Sequence, residues 1–355
     1  MAKTSHTDKE GFLKLFRLFM KESGNGKRLK KDGKKIRPST VDNYIYTYKL
    51  LERFCTETGF DLKFIVVSKS RKRDFESAKK YWKKFYLEFT NYMYKDLDYY
   101  DNYVGLVIKS LRTFFNYVKE EKNIDIGSFH KTFYVPKEEV AIIALAPEQV
   151  NYLIYNTELN AILPAHLHRI RDMFVFGCTV CLRVSDLLAI RPQNIVSESG
   201  SHYLRITSQK TGTFTSIKLP DYAMEIIEKY RLQKGATLFP SISKDRFNAA
   251  LKDMGKYLQY NEPIVKTRTK RGVECIVYKN KAKKQHHTLA DMITTHTMRR
   301  TGITTMLRMG MPDYLVRKVS GHSANSKEFF RYVQLAQNYL DKHTDDAFEK
   351  LRNLV

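Results

Sequence analysis

The chain has 355 residues and is 43 % hydrophobic, enough to bury cores in two or three domains. Its 62 Lys and Arg outnumber 38 Asp and Glu, and the net charge of +24 favours a polyanionic partner, nucleic acid first. No apolar run is long enough to span a bilayer, and the start, MAKTSHTDKEG, lacks the apolar core of a secretory signal, so a soluble intracellular protein with no membrane partner is expected.

The charge is uneven. Residues 1–100 carry 24 basic and 13 acidic side chains, residues 101–150 carry 6 and 7, and residues 251–300 carry 12 and 4. Two separated basic regions suggest two surfaces on one polyanion, or a clamp around it.

In chain order, GFLKLFRLFMKE (11–22) places Phe12, Leu15, Phe16 and Phe19 at helical spacing. The basic stretch after it holds Lys27, Arg28, Lys30, Lys31, Lys34, Lys35 and Arg37 around an Asp-Gly turn, which suits a short β-hairpin or a charged loop. Pro38-Ser39-Thr40 opens a helix to about residue 57, with Tyr44, Tyr48, Leu51 and Cys55 on one stripe. A third helix is expected over 74–95 (Phe75, Ala78, Trp82, Phe85, Phe89, Tyr92) and a fourth over 102–121 (Val104, Val107, Leu111, Phe114, Val118). Together they make a compact helical domain over about 38–134, with the first helix packed on it. Lys79, Lys80, Lys83 and Lys84 on the third helix, and Arg71, Lys72 and Arg73 before it, are a solvated face or the lining of a nucleic-acid groove.

Residues 135–146 read as a linker, and Pro147 opens a new domain, 147–355. Helices are expected at 147–157, 167–181 and 184–190, then a hairpin through SHYLRITSQ and TSIKLP with a Lys210-Thr211-Gly212 turn. Helices return at 221–234 and 243–259. A second hairpin is expected over 263–278, then helices from about 296, 312 and 325, and a last one near 334–352. The fold class is therefore mainly α with small β-hairpins. Cys178 and Cys181 form a lone CxxC in an apolar run, better explained as buried small side chains than as a redox pair or half a zinc site.

Four segments carry chemistry together: CLRVSDLLAIRP (181–192), SQKTGTFTSIKLP (208–220), HTMRRTG (296–302) and SGHSANSKEFFRYVQL (320–335). In this order they resemble the catalytic domain of the tyrosine recombinases, the phage-integrase superfamily, over about residues 140–335. The hairpin ahead of the third segment resembles integrases of Bacteroidetes mobile elements. The resemblance places Arg183, Lys210, His296, Arg299, His322 and Tyr332 at the family's catalytic positions, with Tyr332 as the nucleophile. It implies a core-binding helical domain, double-stranded DNA sites as substrate, a homotetramer on DNA, accessory DNA-bending proteins, a prokaryotic cytoplasmic location at the nucleoid, and no cofactor or metal. Residues 1–37 are a candidate arm or DNA-contact segment. The sequence departs from the usual pattern where Cys181 replaces a glycine, where Ser320 precedes Gly-His, and where Tyr332 lies ten positions after His322, one more than usual.

The residue chemistry is consistent with this. A phosphorane formed on a DNA phosphodiester carries extra negative charge, which guanidinium forks meet well. A tyrosine can attack in line but has an ordinary pKa near ~10, so it needs cationic neighbours or a base. Lys210 on a hairpin tip can protonate the leaving oxygen. His296 and Arg299, three apart, share a helix face, whereas Arg300 is expected to point elsewhere as a structural or DNA-backbone arginine. Each residue has a bland alternative: an Arg183–Asp186 ion pair, a plain turn lysine, a helix-capping histidine, a half-buried tyrosine. The joint occurrence of all six weighs against them. A type IB topoisomerase and a non-catalytic DNA-binding regulator stand as alternatives. The tail from Gln334 is expected to dock on a neighbouring protomer or to pack on its own domain.

Overall fold

The computed structural model describes residues 9–65, 72–231 and 235–352, leaving aside the side chains of Lys9, Lys72 and positions 338–340, 342, 343, 346, 347 and 350. The chain divides into two compact units. Unit 1 comprises Met1–Val140 with Thr267–Val277, and unit 2 comprises Ala141–Lys266 with Tyr278–Val355.

Unit 1 has four long helices, α1 (Lys9–Gly24), α2 (Pro38–Thr58), α3 (Lys72–Asn91) and α4 (Asp101–Glu120). Pro38 opens α2, where its missing N–H costs no helical bond, and Gly59 at φ +69° closes it by donating to the Cys55 carbonyl. The apolar stripes meet in a core rich in phenylalanine, with Phe12, Phe16, Phe19, Phe85, Phe89 and Phe114 fully buried and their rings packed edge-on or offset. Phe75 departs from the expected stripe. It is 44 % exposed and lies against Phe129 at the rim of an apolar groove, because it sits in the first turn of α3, beyond the reach of the other helices. The basic stretch forms the barest of hairpins, one bridge between Leu29 and Lys35 with Gly33 at φ +74°. Its charged side chains bury nothing that would extend a ladder.

Unit 2 begins with α5 (Pro147–Tyr155), the short α6 (Leu159–Ile162), α7 (Ala165–Val180) and α8 (Val184–Leu187). The expected hairpin is the larger part of a three-stranded antiparallel sheet, β1 (Ile195–Glu198), β2 (Ser201–Thr207) and β3 (Phe214–Leu219), in that order. β1 is the strand that the sequence reading lacked. It joins β2 through Ser199 and Gly200, both at positive φ, the geometry that lets two strands turn tightly. Helices α9 (Asp221–Arg231) and α10 (Lys244–Tyr257) follow.

The second hairpin differs from expectation. Pro263 and Ile264 (β4) pair with His287 and Thr288 (β7), and the hairpin proper is β5 (Thr267–Lys270) with β6 (Val273–Ile276), turning on Arg271 and Gly272. It belongs to unit 1 because two buried carboxylates there hold it. Glu138 takes the Arg268 guanidinium at 2.5 Å and the Thr269 amide at 2.6 Å. Asp101 accepts from the Arg271 amide, the Gly272 amide and the Thr269 hydroxyl.

Unit 2 closes with α11 (Leu289–Met292), α12 (Thr295–Arg308), α13 (Asp313–Ser320) and α14 (Lys327–Arg352). The two helices expected after residue 325 are one, since neither glycine nor proline interrupts 327–352.

Candidate active site

The site is organised by close packing of α7 against α12. Gly302 makes the approach possible: a Cβ there would lie 1.8 Å from the Cys178 carbonyl oxygen. α7 ends at Cys181, which takes the left-handed conformation (φ +52°, ψ +23°) that normally selects glycine. Its buried thiol donates to the Cys178 carbonyl at 3.3 Å. Burial pushes the Cys178 thiol well up and the Cys181 thiol to about 12, so both are protonated packing groups near neutrality. The reversal at Cys181 turns its own carbonyl toward α12, where it accepts from Arg299 Nη1 at 2.8 Å.

Arg183 follows two residues on, in extended backbone at the start of α8, and its Nη1 donates to Ser208 Oγ at 3.4 Å. Asp186 is not its ion-pair partner. The buried carboxylate accepts from Ser208 Oγ and from the Gln209 amide, both at 2.9 Å, and so anchors the root of the β2–β3 turn. Lys210 projects from that turn with an exposed side chain, and Gly212 at φ +69° closes the loop back on Ser208.

His322 follows Gly321, which ends α13 at φ +64°. Ser320 Oγ donates to the Val316 carbonyl at 2.7 Å, so its lone pair must accept from His322 Nδ1 at 2.8 Å. With the proton on Nδ1, Nε2 is the ring's acceptor for Arg299 Nη2, which lies 3.1 Å from Nε2 and 3.3 Å from Nδ1. Burial, then the Arg299 cation, pushes the His322 pKa down to about 4, so the ring is neutral near pH 7. The serine that departs from the family pattern thus fixes the histidine tautomer.

Tyr332 lies in the second turn of α14 and is 2 % exposed. Its ring packs on His322 with centroids 6.0 Å apart, and its hydroxyl donates to Glu328 Oε1 at 3.2 Å. Burial, then the Glu328 carboxylate, raises its pKa above the ordinary phenol, against the lowering effect of Arg300 and Arg299. Arg300 is half-buried and is an electrostatic neighbour of both His296 and Tyr332. Helix α14 packs against α12. His296 keeps an exposed edge while Arg299 is buried. Partial desolvation, then Arg300 and Lys244, lowers its pKa. Arg183 is an electrostatic neighbour of both Arg299 and His322.

Arg299, His322 and Tyr332 are thus in contact, Arg183 and His296 are electrostatic neighbours of that group, and Lys210 sits on the turn whose root, Ser208, bonds Arg183. Glu328 was absent from the sequence reading, and Ser320 and Cys181 figured there only as departures from the usual pattern. Glu328 had a signal, its position four residues before Tyr332, which puts both on one helical face. A cleft of about 580 Å³ opens beside His322, lined by Phe214, Ser216, Tyr314, Arg317 and Lys318.

The expected DNA-contact residues fall in different settings. Lys27, Lys30, Lys31, Lys34, Lys35, Arg73, Lys79 and Lys80 are exposed, and Arg37 is half-buried. Arg28 is packed instead, against Glu121 at 2.8 Å and over the Phe19 ring. Arg71 and the side chain of Lys72 lie outside the described residues.

The order of elements, a helical unit followed by a mixed unit built around α7, the three-stranded sheet and α12–α14, is the tyrosine-recombinase fold. The sequence profile of the phage integrase family matches residues 144–338, more than half of the chain, and the chain belongs to that family. Among solved structures it is similar to a lambda integrase dimer bound to a COC' core site (TM-score 0.60, 15 % identity, covering 90 % of this chain and 94 % of that one). It is also similar to XerH recombinase bound to a palindromic difH substrate (TM-score 0.58, 10 % identity, 92 % and 91 %). A third likeness is to the Tn1549 transposon integrase with circular intermediate DNA (TM-score 0.54, 14 % identity, 90 % and 94 %). At these identities the likeness is one of fold. No curated protein sequence matched the chain. Among the described residues, no helix is long and apolar enough to cross a membrane.

Proposed function

We propose that this protein is a site-specific recombinase that breaks and rejoins double-stranded DNA through a 3′-phosphotyrosyl intermediate on Tyr332, integrating or excising a mobile element. The observation that carries this is the burial of Tyr332 against His322, which Arg299 Nη2 contacts at 3.1 Å, with Arg300 a further cationic neighbour of the phenol. A phenol needs no such company for packing alone. Arg183 and Arg299 receive the non-bridging oxygens of the scissile phosphate, where two fixed guanidinium groups meet the charge that grows in the phosphorane. His296 adds a polar contact to that phosphate, and His322 holds the Arg299 guanidinium in place behind it. The phenol oxygen bonds to phosphorus as its proton leaves. The bond to the 5′-oxygen breaks, and Lys210 protonates that oxygen. The phosphotyrosyl link keeps the bond energy, so attack by a second strand's 5′-hydroxyl reverses the step with exchange and without ATP.

The net charge of +24 suits such a substrate. A lambda integrase tetramer has been captured on a Holliday junction, and a tetramer on paired sites is proposed for this chain by the same fold. Accessory DNA-bending proteins belong to the same proposal, as does action at the nucleoid.

The test is a nicked suicide substrate carrying a candidate attachment site, incubated without metal or ATP. A denaturation-resistant adduct that disappears in Tyr332→Phe is expected. An adduct surviving in that variant names another nucleophile, and no adduct on DNA that the protein binds overturns the enzymatic reading. A strand-exchange assay between two sites then separates a recombinase from a topoisomerase.

A further inference from the structure

Glu328 is a carboxylate in a place where the proposed reaction needs an anion of another kind. It lies one helical turn before Tyr332 on α14 and accepts the phenol hydroxyl at 3.2 Å. The same side chain is an electrostatic neighbour of His296, Arg299 and His322. One acid therefore borders every group that would gather around a scissile phosphate, apart from Arg183 and Lys210. An acidic residue in the first turn of a helix favours the helix dipole, which accounts for a charge at this position but not for the bond to Tyr332.

The chemistry argues against a base. A carboxylate is weaker than a phenolate as a proton acceptor by about six powers of ten. It also opposes the negative charge of both phenolate and phosphate at close range. A phosphodiester brought against Arg299 and Tyr332 cannot share that space with Glu328 without direct repulsion.

Resting on the recombinase reading above, we propose that Glu328 is a positioning residue that restrains Tyr332 in the DNA-free protein, standing in for the scissile phosphate and yielding to it when DNA binds. The groups that surround the pair are His296, Arg299 and Arg300 from α12 and His322 from the segment before α14. Release of the carboxylate leaves Arg299 and Arg300 as the charged neighbours of the phenol, the environment that favours its ionisation. Readiness of Tyr332 for attack is thereby coupled to occupancy of the site by DNA.

The test uses the full chain with Glu328→Gln and Glu328→Ala, neither of which removes a buried side chain, and two readouts. In the DNA-free protein, ¹³Cζ-tyrosine NMR follows the Tyr332 phenol through alkaline titration, with Tyr332→Phe assigning its signal. The phenol should ionise at lower pH in Glu328→Gln than in wild type, by about one unit, a tenfold change in the equilibrium. On the suicide substrate at neutral pH, both variants should form the adduct about tenfold faster. An unchanged titration overturns the hold on Tyr332. Equal adduct rates overturn the restraint, and slower rates overturn it by making Glu328 a contributor to the reaction. If wild type forms no adduct at all, the recombinase reading fails while the titration still decides whether Glu328 holds Tyr332.

Discussion

The guanidinium of Arg299 is bound to the main-chain carbonyl of Cys181 across the α7–α12 contact, at 2.8 Å. The bond exists because α7 reverses at Cys181 in a left-handed conformation and because Gly302 lets the two helices touch. Gly302→Ala would put a methyl 1.8 Å from the Cys178 carbonyl and 2.5 Å from Cys181 Sγ, so the helices must part. We expect a loss of about 1–3 kcal/mol in urea denaturation, toward the upper end because backbone is met, the range for forced overpacking. A variant of unchanged midpoint would show that the contact is slack.

Ser320→Ala removes the acceptor for His322 Nδ1–H. The ring is then free to carry its proton on Nε2, which would break the bond from Arg299. ¹⁵N-imidazole NMR should show the His322 signals move from a single tautomer to a mixture. Stability should fall by about 1 kcal/mol, the usual net worth of one such bond. An unchanged tautomer would mean that Arg299 alone fixes the ring.

The depressed pKa of His322, about 4, sets a direction for pH dependence. Between about pH 6.5 and 4 the unfolded chain binds a proton that the folded protein does not, so stability falls as pH is lowered through that window. His130 in unit 1, buried against Asn116 and likewise depressed to about 4, contributes in the same sense. Chemical denaturation at pH 7 and pH 5 should show a smaller difference in His322→Gln and in His130→Gln than in wild type. Equal differences would place the acid sensitivity elsewhere.

Asp101 and Glu138 titrate in the opposite sense. Burial pushes both up, but the hydrogen bonds from Tyr94, Thr269, Arg271 and Gly272 to Asp101, and those from Arg268 and Thr269 to Glu138, prevail and hold both carboxyls below their ordinary range. Their contribution is complete above about pH 4.5 and is lost as pH falls below it. Asp101→Ala should cost about 3 kcal/mol by leaving several donors unpaired. It should also speed hydrogen exchange at the Arg271 and Gly272 amides selectively. Uniform acceleration across unit 1 would point to global unfolding instead of release of the hairpin.

Lys210→Ala should slow adduct formation by about 10²–10⁴-fold on ordinary DNA, the usual worth of a general acid. A substrate whose 5′-bridging oxygen is replaced by sulfur needs little protonation on leaving and should recover most of the rate. Failure of the sulfur substrate to recover it would assign Lys210 to DNA binding.

The helical stripes of unit 1 were legible because burial of one face imposes a spacing that survives in the residues themselves, as Val104, Val107, Leu111 and Phe114 do on α4. The positions of Arg183, His296, Arg299, His322 and Tyr332 were legible as an ordered set of motifs. Strand β1, the single helix α14 and the partners of the second hairpin were not, since short strands and helix junctions depend on contacts made far along the chain. The role of Asp186 escaped for the same reason. Its neighbour in sequence is Arg183, but its hydrogen bonds go to Ser208 and Gln209.

By itself the sequence determined the charge, the two apolar cores and the reactive side chains, because those are properties of residue type and local period. Only the tertiary structure decided that Cys181 offers its carbonyl to Arg299, that Ser320 sets the proton of His322, and that Tyr332 packs on His322. A hydrogen bond depends on angle and distance to within tenths of an ångström. That geometry follows from how α7, α12, α13 and α14 pack, which no stretch of residues states alone.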